Sequence, residues 1–237
     1  MNRIFTVLSL ALLALCASCT ARINGSLMEG GQADLQIYAA LEPRMTMLLS
    51  GLAAASGALE PGAPLLDGPA IGASMSLAPG VDSVSFRNTA PAAIEGPVKI
   101  SRFGDFLSSG TVSFITFEQG NTAAGSRCAI NLSLNSGPQI LALISPDIGD
   151  YLGALMAPLA TGEAITKTEY LALVGSVYGR GIADEISKAF INASINFPGQ
   201  IRSVKGGTFS GRKAEFAVPL LDVLVLETPL SYEVVWR

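Results

Sequence analysis

The chain contains no histidine. That absence excludes the usual zinc sets, His-based nucleophile triads and haem held through an imidazole, because each needs a ring nitrogen as ligand or base. Cysteine is nearly as scarce: three in 237 residues, Cys16, Cys19 and Cys128, too few for a disulfide framework. Charge is thin as well, with 15 Lys and Arg against 19 Asp and Glu. The cations are spaced singly, and only Lys205 and the pair Arg212-Lys213 approach a cluster. Phosphate backbones are held by grouped cations, so nucleic acid is not an expected partner. Also missing are a Gly-rich phosphate loop after a strand, an Asp-x-Asp run, heptads and fixed-period repeats. Gly175-Ser176-Val177-Tyr178-Gly179 places its serine one position too early for a nucleophile elbow.

What the chain does have begins at its N-terminus. Asn2 and Arg3 form a short positive leader, residues 4–15 an apolar stretch, and Ala17 and Ser18 the small residues that precede a cleavage site. The stretch falls short of the roughly 20 apolar residues that span a bilayer. The sequence turns polar at once after Cys19, at Thr20, Arg22, Asn24, Gly25 and Ser26. Ala17-Ser18-Cys19 resembles the bacterial lipobox, in which a small residue precedes a cysteine that is diacylated on sulfur and becomes the new N-terminus. Cys16 stands where that pattern usually has Leu, a relaxation found in spirochaetal lipoproteins. Cleavage before Cys16 would put bulky Leu15 directly ahead of the acylated cysteine, which fits the pattern poorly. The resemblance implies a bacterial cell-envelope lipoprotein, acylated (palmitate) on Cys19 and facing the periplasm or the outside. The expected organisation is a signal peptide over 1–18, a lipid-anchored tether over 19–29 and a single α+β domain over 30–237. Loss of the leader removes Arg3 and leaves 219 residues with 14 cations against 19 anions, enough chain to bury a core.

Period-two alternation predicts strands at Gly30–Ala40, Val81–Asn88, Ile94–Ile100, Thr111–Glu118, Arg127–Leu134 and Ile191–Phe197, and a last one through Leu230, Tyr232, Val234 and Trp236. Val112 to Phe117 is apolar on both faces, which predicts a central strand. Gly206-Gly207 predicts a tight hairpin between 201–205 and 208–218. Helices are predicted from Pro43 to before Gly57, at 70–77 and briefly within 101–107. Two long ones follow, at about 147–159 and 167–189. The second opens on a capping box, Thr166 with Glu169, and carries possible bends at Gly179 and Gly181. The fold class expected is α+β, a mainly antiparallel sheet with the two long helices packed on one face.

Candidate chemistry is sparse. Ser210-Gly211-Arg212-Lys213 has the spacing of a Ser-x-x-Lys nucleophile, but strand alternation is expected to set Ser and Lys on opposite faces. Asp147 with Asp150, and Asp184 with Glu185, offer paired carboxylates that helix-terminus charge and solvation explain more simply. No metal, cofactor or catalytic residue is expected; a hydrolase using these carboxylates is the third reading. Cys128 shares a face with Ile130 and Leu132 and is expected to be buried and inert. The long helices carry wide apolar stripes, of which Leu152, Leu155, Met156, Tyr170, Val174 and Tyr178 are candidates to line an acyl-chain cavity. Core packing is the simpler reading of the same stripes, and a membrane-surface face is a third, for which residues 140–166 lack the customary cations.

Near the C-terminus, Phe197-Pro198-Gly199-Gln200-Ile201, then Gly206-Gly207, Gly211 and apolar strands ending at Trp236, resemble the PG turn and glycine-marked hairpin of LppM-like bacterial lipoproteins. With the lipobox and the strand at 33–39, that resemblance implies an α+β lipoprotein that binds lipid or glycolipid, and it transfers no ligand residue. Two functions are expected in turn: an anchored, non-catalytic envelope protein binding an apolar or amphiphilic ligand such as a lipid, or a structural, assembly or surface-interaction lipoprotein with a solid core.

Overall fold

A computed structural model describes residues 19–56, 62–108, 113–120, 125–142, 155 and 157–237. In chain order the strands are β1 (Cys19–Leu27), β2 (Ala33–Leu41), β3 (Val81–Val84), β4 (Arg87–Ala90), β5 (Ala93–Ile100), β6 (Ile115–Glu118), β7 (Ser126–Leu132), β8 (Phe190–Asn196), β9 (Ile201–Lys205), β10 (Thr208–Ser210), β11 (Lys213–Pro219) and β12 (Leu230–Trp236). The helices are α1 (Pro43–Ser56), α2 (Gly68–Met75), α3 (Phe103–Ser108), α4 (Gly137–Ala142), α5 (Ala157–Thr161), α6 (Lys167–Tyr178), α7 (Arg180–Lys188) and α8 (Leu220–Val225). The fold is α+β.

The strands form two sheets where one was expected. An eight-stranded sheet runs β10-β11-β8-β1-β2-β5-β3, with β4 also on β5, and a four-stranded sheet runs β6-β7-β12-β9. Among the described residues all pairings are antiparallel except β1 with β8. In the large sheet one phase of the alternation, Ala21, Ile37, Val98, Ile191 and Ala214, is buried, and it shares a core with the helices and with Val234 and Trp236 of the second sheet. The other phase, Arg22, Asn24, Asp34, Gln36, Asn192 and Glu215, is exposed. A half-wet antiparallel sheet reads this way because successive side chains leave opposite faces. Aromatic contacts bind the second sheet: Trp236 lies 4.8 Å from Phe197 and 6.2 Å from Phe117, and Phe117 meets Phe103 of α3 edge-on at 5.3 Å.

Local chemistry sets the helix starts. Pro43 is the first residue of α1, and the free amides of Arg44 and Met45 donate to the Glu185 carboxylate at 3.0 Å each, a cap supplied from α7. Asp67 caps α2 through the Ala70 amide. Thr166 and Glu169 form the expected capping box at α6. Gly179, at φ 94°, ends α6 and begins α7, so the predicted continuous helix 167–189 is two helices joined at a residue that only glycine tolerates easily. Of the predicted helix 147–159, only its end is described, within α5; residues 143–154 and 156 lie outside the described residues.

Several expectations are overturned. The stretch 19–29 is no tether: its first nine residues are β1, an interior strand between β2 and β8. Residues 81–88 make two short strands, both on β5. β6 is an edge strand rather than a central one: Ile115 and Phe117 face the core on the same phase as Cys128 and Val234, while Thr116 and Glu118 are exposed. Gly206-Gly207 joins no hairpin, since β9 pairs with β12 in one sheet and β10 with β11 in the other. The hairpin turn is Gly211-Arg212, which makes Ser210 and Lys213 direct cross-strand partners rather than residues on opposite faces. The connection after Pro219 contains α8.

Candidate functional site

Three of the candidate residues on the helical layer's apolar stripes lie in the core, whereas Leu173 and Val177 of α6 are 48% and 60% exposed. Leu155, Tyr170 and Val174 are 1%, 0% and 1% exposed, and the Tyr170 hydroxyl donates to the Leu155 carbonyl at 2.7 Å. A side chain lining a void wide enough for an acyl chain keeps accessible surface toward that void, and these keep almost none. Leu159, Leu220 and Leu224 pack with them, equally buried. Tyr178 is half-buried at the end of α6, and Leu152 and Met156 lie outside the described residues. Lys167, whose amine sits 2.8 Å from Asp222, fastens α6 to α8, and that bond raises the lysine's pKa.

The candidate carboxylates separate likewise. Glu185 caps α1, and Asp184 is exposed beside it. Asp147 and Asp150 lie outside the described residues. The Lys213 amine bonds Glu215 at 2.6 Å. Cys128 is pushed up to about 11 by burial, against a smaller pull from Arg127, whose guanidinium is held by Glu233 at 2.6 and 2.8 Å. Such a thiol stays protonated at neutral pH and is a poor nucleophile. Cys19 opens β1, in register with Leu41.

A groove lies on the opposite, exposed face of the large sheet. Its floor is three adjacent strands: Arg22 and Asn24 from β1, Asn192 and Ser194 from β8, Glu215 and Ala217 from β11. Register lines them up in rows, Arg22 beside Asn192 beside Ala217, and Asn24 beside Ser194 beside Glu215. Gly206, Gly207 and Thr208, where the chain crosses between sheets, form the rim. The crossing needs bare backbone: a Cβ on Gly206 would press on the Tyr232 ring, and one on Gly207 would meet the Glu215 carbonyl and the Phe216 ring at 2.5 and 2.6 Å. The volume is about 720 Å³, within the range of small-molecule sites.

The groove is lined by hydrogen-bonding and charged groups. Arg22 is held in place over the Tyr38 ring, its guanidinium carbon 4.6 Å from the centroid. Side-chain amides, a hydroxyl, a guanidinium and a carboxylate offer donors and acceptors in rows, suited to a ligand rich in hydroxyls or amides. Ser194 stands directly across from Glu215, whose carboxylate also bonds the Lys213 amine. The alternation of Asn192, Ser194 and Asn196 gave the only sequence signal for this floor; β1, read as a tether, hid its other half.

Among the described residues no helix is long and apolar enough to cross a membrane. No protein-family model matches the chain, and no curated protein does. The chain is similar to the NMR structure of the folded domain of the Mycobacterium tuberculosis LppM protein. The two share 11% identity over 93% of this chain and 90% of that one, at a TM-score of 0.43.

Proposed function

We propose that the protein is an exported envelope lipoprotein, diacylated on Cys19, whose domain binds the polar part of an amphiphilic ligand, such as a lipid headgroup, without transforming it. The leader ending in Ala17-Ser18-Cys19 supports the anchor. The single observation that carries the binding reading is the groove, where Arg22, Asn24, Asn192, Ser194 and Glu215 converge from three strands on a space of about 720 Å³. The packed state of Leu155, Tyr170 and Val174 supports a ligand site on the outer face of the sheet rather than beneath the helices, with the ligand's apolar chains outside the protein.

Two measurements test the two halves. Radiolabelled palmitate should enter the wild-type chain in cells and be absent from Cys19→Ser. For binding, the soluble domain titrated with dihexanoylphosphatidylglycerol and with octyl glucoside below their micelle thresholds should show NMR shift changes at Asn192 and Ser194 for at least one of them. Shift changes absent from the groove for both, with the anchor intact, would favour the second reading, a structural or surface-interaction lipoprotein, which the tightly packed core already suits.

A further inference from the structure

We propose that the end of the large sheet bearing Cys19 is a membrane-docking surface, held flat against the bilayer by an anchor that has no tether. The inference rests on the lipid-anchor reading above and adds to it an orientation and a contact face.

The geometry is that of β1. Residues 1–18 end where the strand begins, and Cys19 is already paired with Leu41. Two residues later Ala21 is paired on both sides, with Ala39 and with Ile191. At about 3.3 Å per extended residue, some 7 Å of chain separates the Cys19 backbone from a strand locked into the sheet interior. A free tether over 19–29 would have reached about 35 Å at the same rise and left the domain free to turn. An acyl chain buried in the bilayer therefore draws this end of the sheet into the headgroup layer.

That end is built for contact. Leu41 donates its amide to Ala92 at 3.0 Å, which closes the neighbouring loop against it. Phe190 starts β8 opposite Pro219, level with Thr20, and is 38% exposed. α1 starts two residues beyond Leu41 and shows Met47, 67% exposed, in its second turn. Scattered apolar residues on a water-facing surface carry little meaning, but a phenylalanine and a methionine beside an acylation site meet the interface. Charge contributes little: exposed Arg44 and Lys188 are offset by Glu42, which accepts the Thr20 hydroxyl at 3.0 Å, and by Glu185 at the start of α1. Docking is thus expected to survive high salt, unlike adhesion through basic patches. It also sets the height of the groove. Arg22 and Asn24 stand three and five residues along β1, about 10–17 Å from the anchor, beside the polar heads of the same membrane.

The test uses the acylated full-length protein with Cys128→Ser, reconstituted into vesicles of phosphatidylethanolamine and phosphatidylglycerol carrying nitroxide lipid. Single cysteines are introduced by Phe190→Cys, Met47→Cys and, at the far turn of β1, Glu29→Cys, and each is labelled with a fluorophore. Quenching should be several-fold stronger at 190 and 47 than at 29, unchanged by salt, and should fall at 190 and 47 when a flexible Gly/Ser linker is inserted between Cys19 and Thr20. Equal quenching at all three sites, or quenching unaffected by the linker, would overturn the docking surface while palmitate incorporation still upheld the anchor. Absence of palmitate would overturn both.

Discussion

On one face of the eight-stranded sheet, Ala21, Ile37, Val98, Ile191 and Ala214 keep between 0 and 9% of their surface. One residue along the same strands, Arg22, Tyr38, Lys99, Asn192 and Glu215 lie on the face that meets water. The backbone and its hydrogen bonds are common to both faces, so the phase of the side chain alone assigns a residue to holding the fold or to meeting a ligand. Substitutions should therefore divide by phase: large stability losses with no direct effect on recognition inside, and the reverse outside.

The sharpest way to break that contrast is to move a carboxylate by one position. Ala214 has no exposed surface, and Ala214→Asp should cost several kcal/mol through an unpaired buried charge, enough to prevent soluble expression. Its neighbour Glu215 is exposed, and Glu215→Ala should change urea-unfolding stability by no more than about 0.5 kcal/mol. Comparable losses from the two would abolish the distinction. Next comes the layer beneath the inner face, where Tyr170→Ala should lose about 3–5 kcal/mol in the same measurement. Tyr170→Phe should lose less, about 1–3 kcal/mol, because the ring stays while the Leu155 carbonyl loses its donor.

Smaller still is the cap of α6. Thr166→Ala should cost about 1 kcal/mol. The amide and hydroxyl of Thr166 hold the Glu169 carboxyl below its ordinary value. A carboxyl lowered by folding stabilises the protein above the unfolded-state value, about 4.3 for Glu, and that contribution disappears as pH falls through the lower folded value. Acid titration of stability should accordingly be shallower over that window in Thr166→Ala than in wild type. The smallest stability effects belong to the groove. Arg22→Ala and Asn192→Ala should each stay within about 0.5 kcal/mol of wild type, yet weaken the NMR-detected binding of whichever short-chain amphiphile shifts Ser194.

Strands whose alternation is carried by their own residues were readable from sequence: β2, β5, β7, β8 and β12 fall close to their predicted places. β1 was not. Gly25 interrupts its apolar phase, and what makes it a strand is β2 on one side and β8 on the other. Two-residue glycine chemistry at 206–207 is the same for a hairpin and for a passage between sheets, and the partner strands decide between them. The edge position of β6 was hidden because Phe114, which makes the run look apolar on both faces, is buried just ahead of the strand, whose own second face is the exposed Thr116 and Glu118. The groove was the least legible feature: Arg22, Asn192 and Glu215 are remote in sequence, and only the order β11-β8-β1 brings them side by side.

The parallel pairing of β1 with β8 joins residues 21 and 191 across most of the chain. Synthesis delivers β1 first, with β2 soon after as its antiparallel partner, but its other edge has no complement until the last third of the polypeptide emerges. Until then that edge is an open row of amides and carbonyls, the form in which nascent sheets recruit the wrong neighbour. Closing such a distant pair is also the slow step of folding that contact order anticipates. The first strand made is the last to be flanked, and a chain truncated before residue 190 should be prone to self-association.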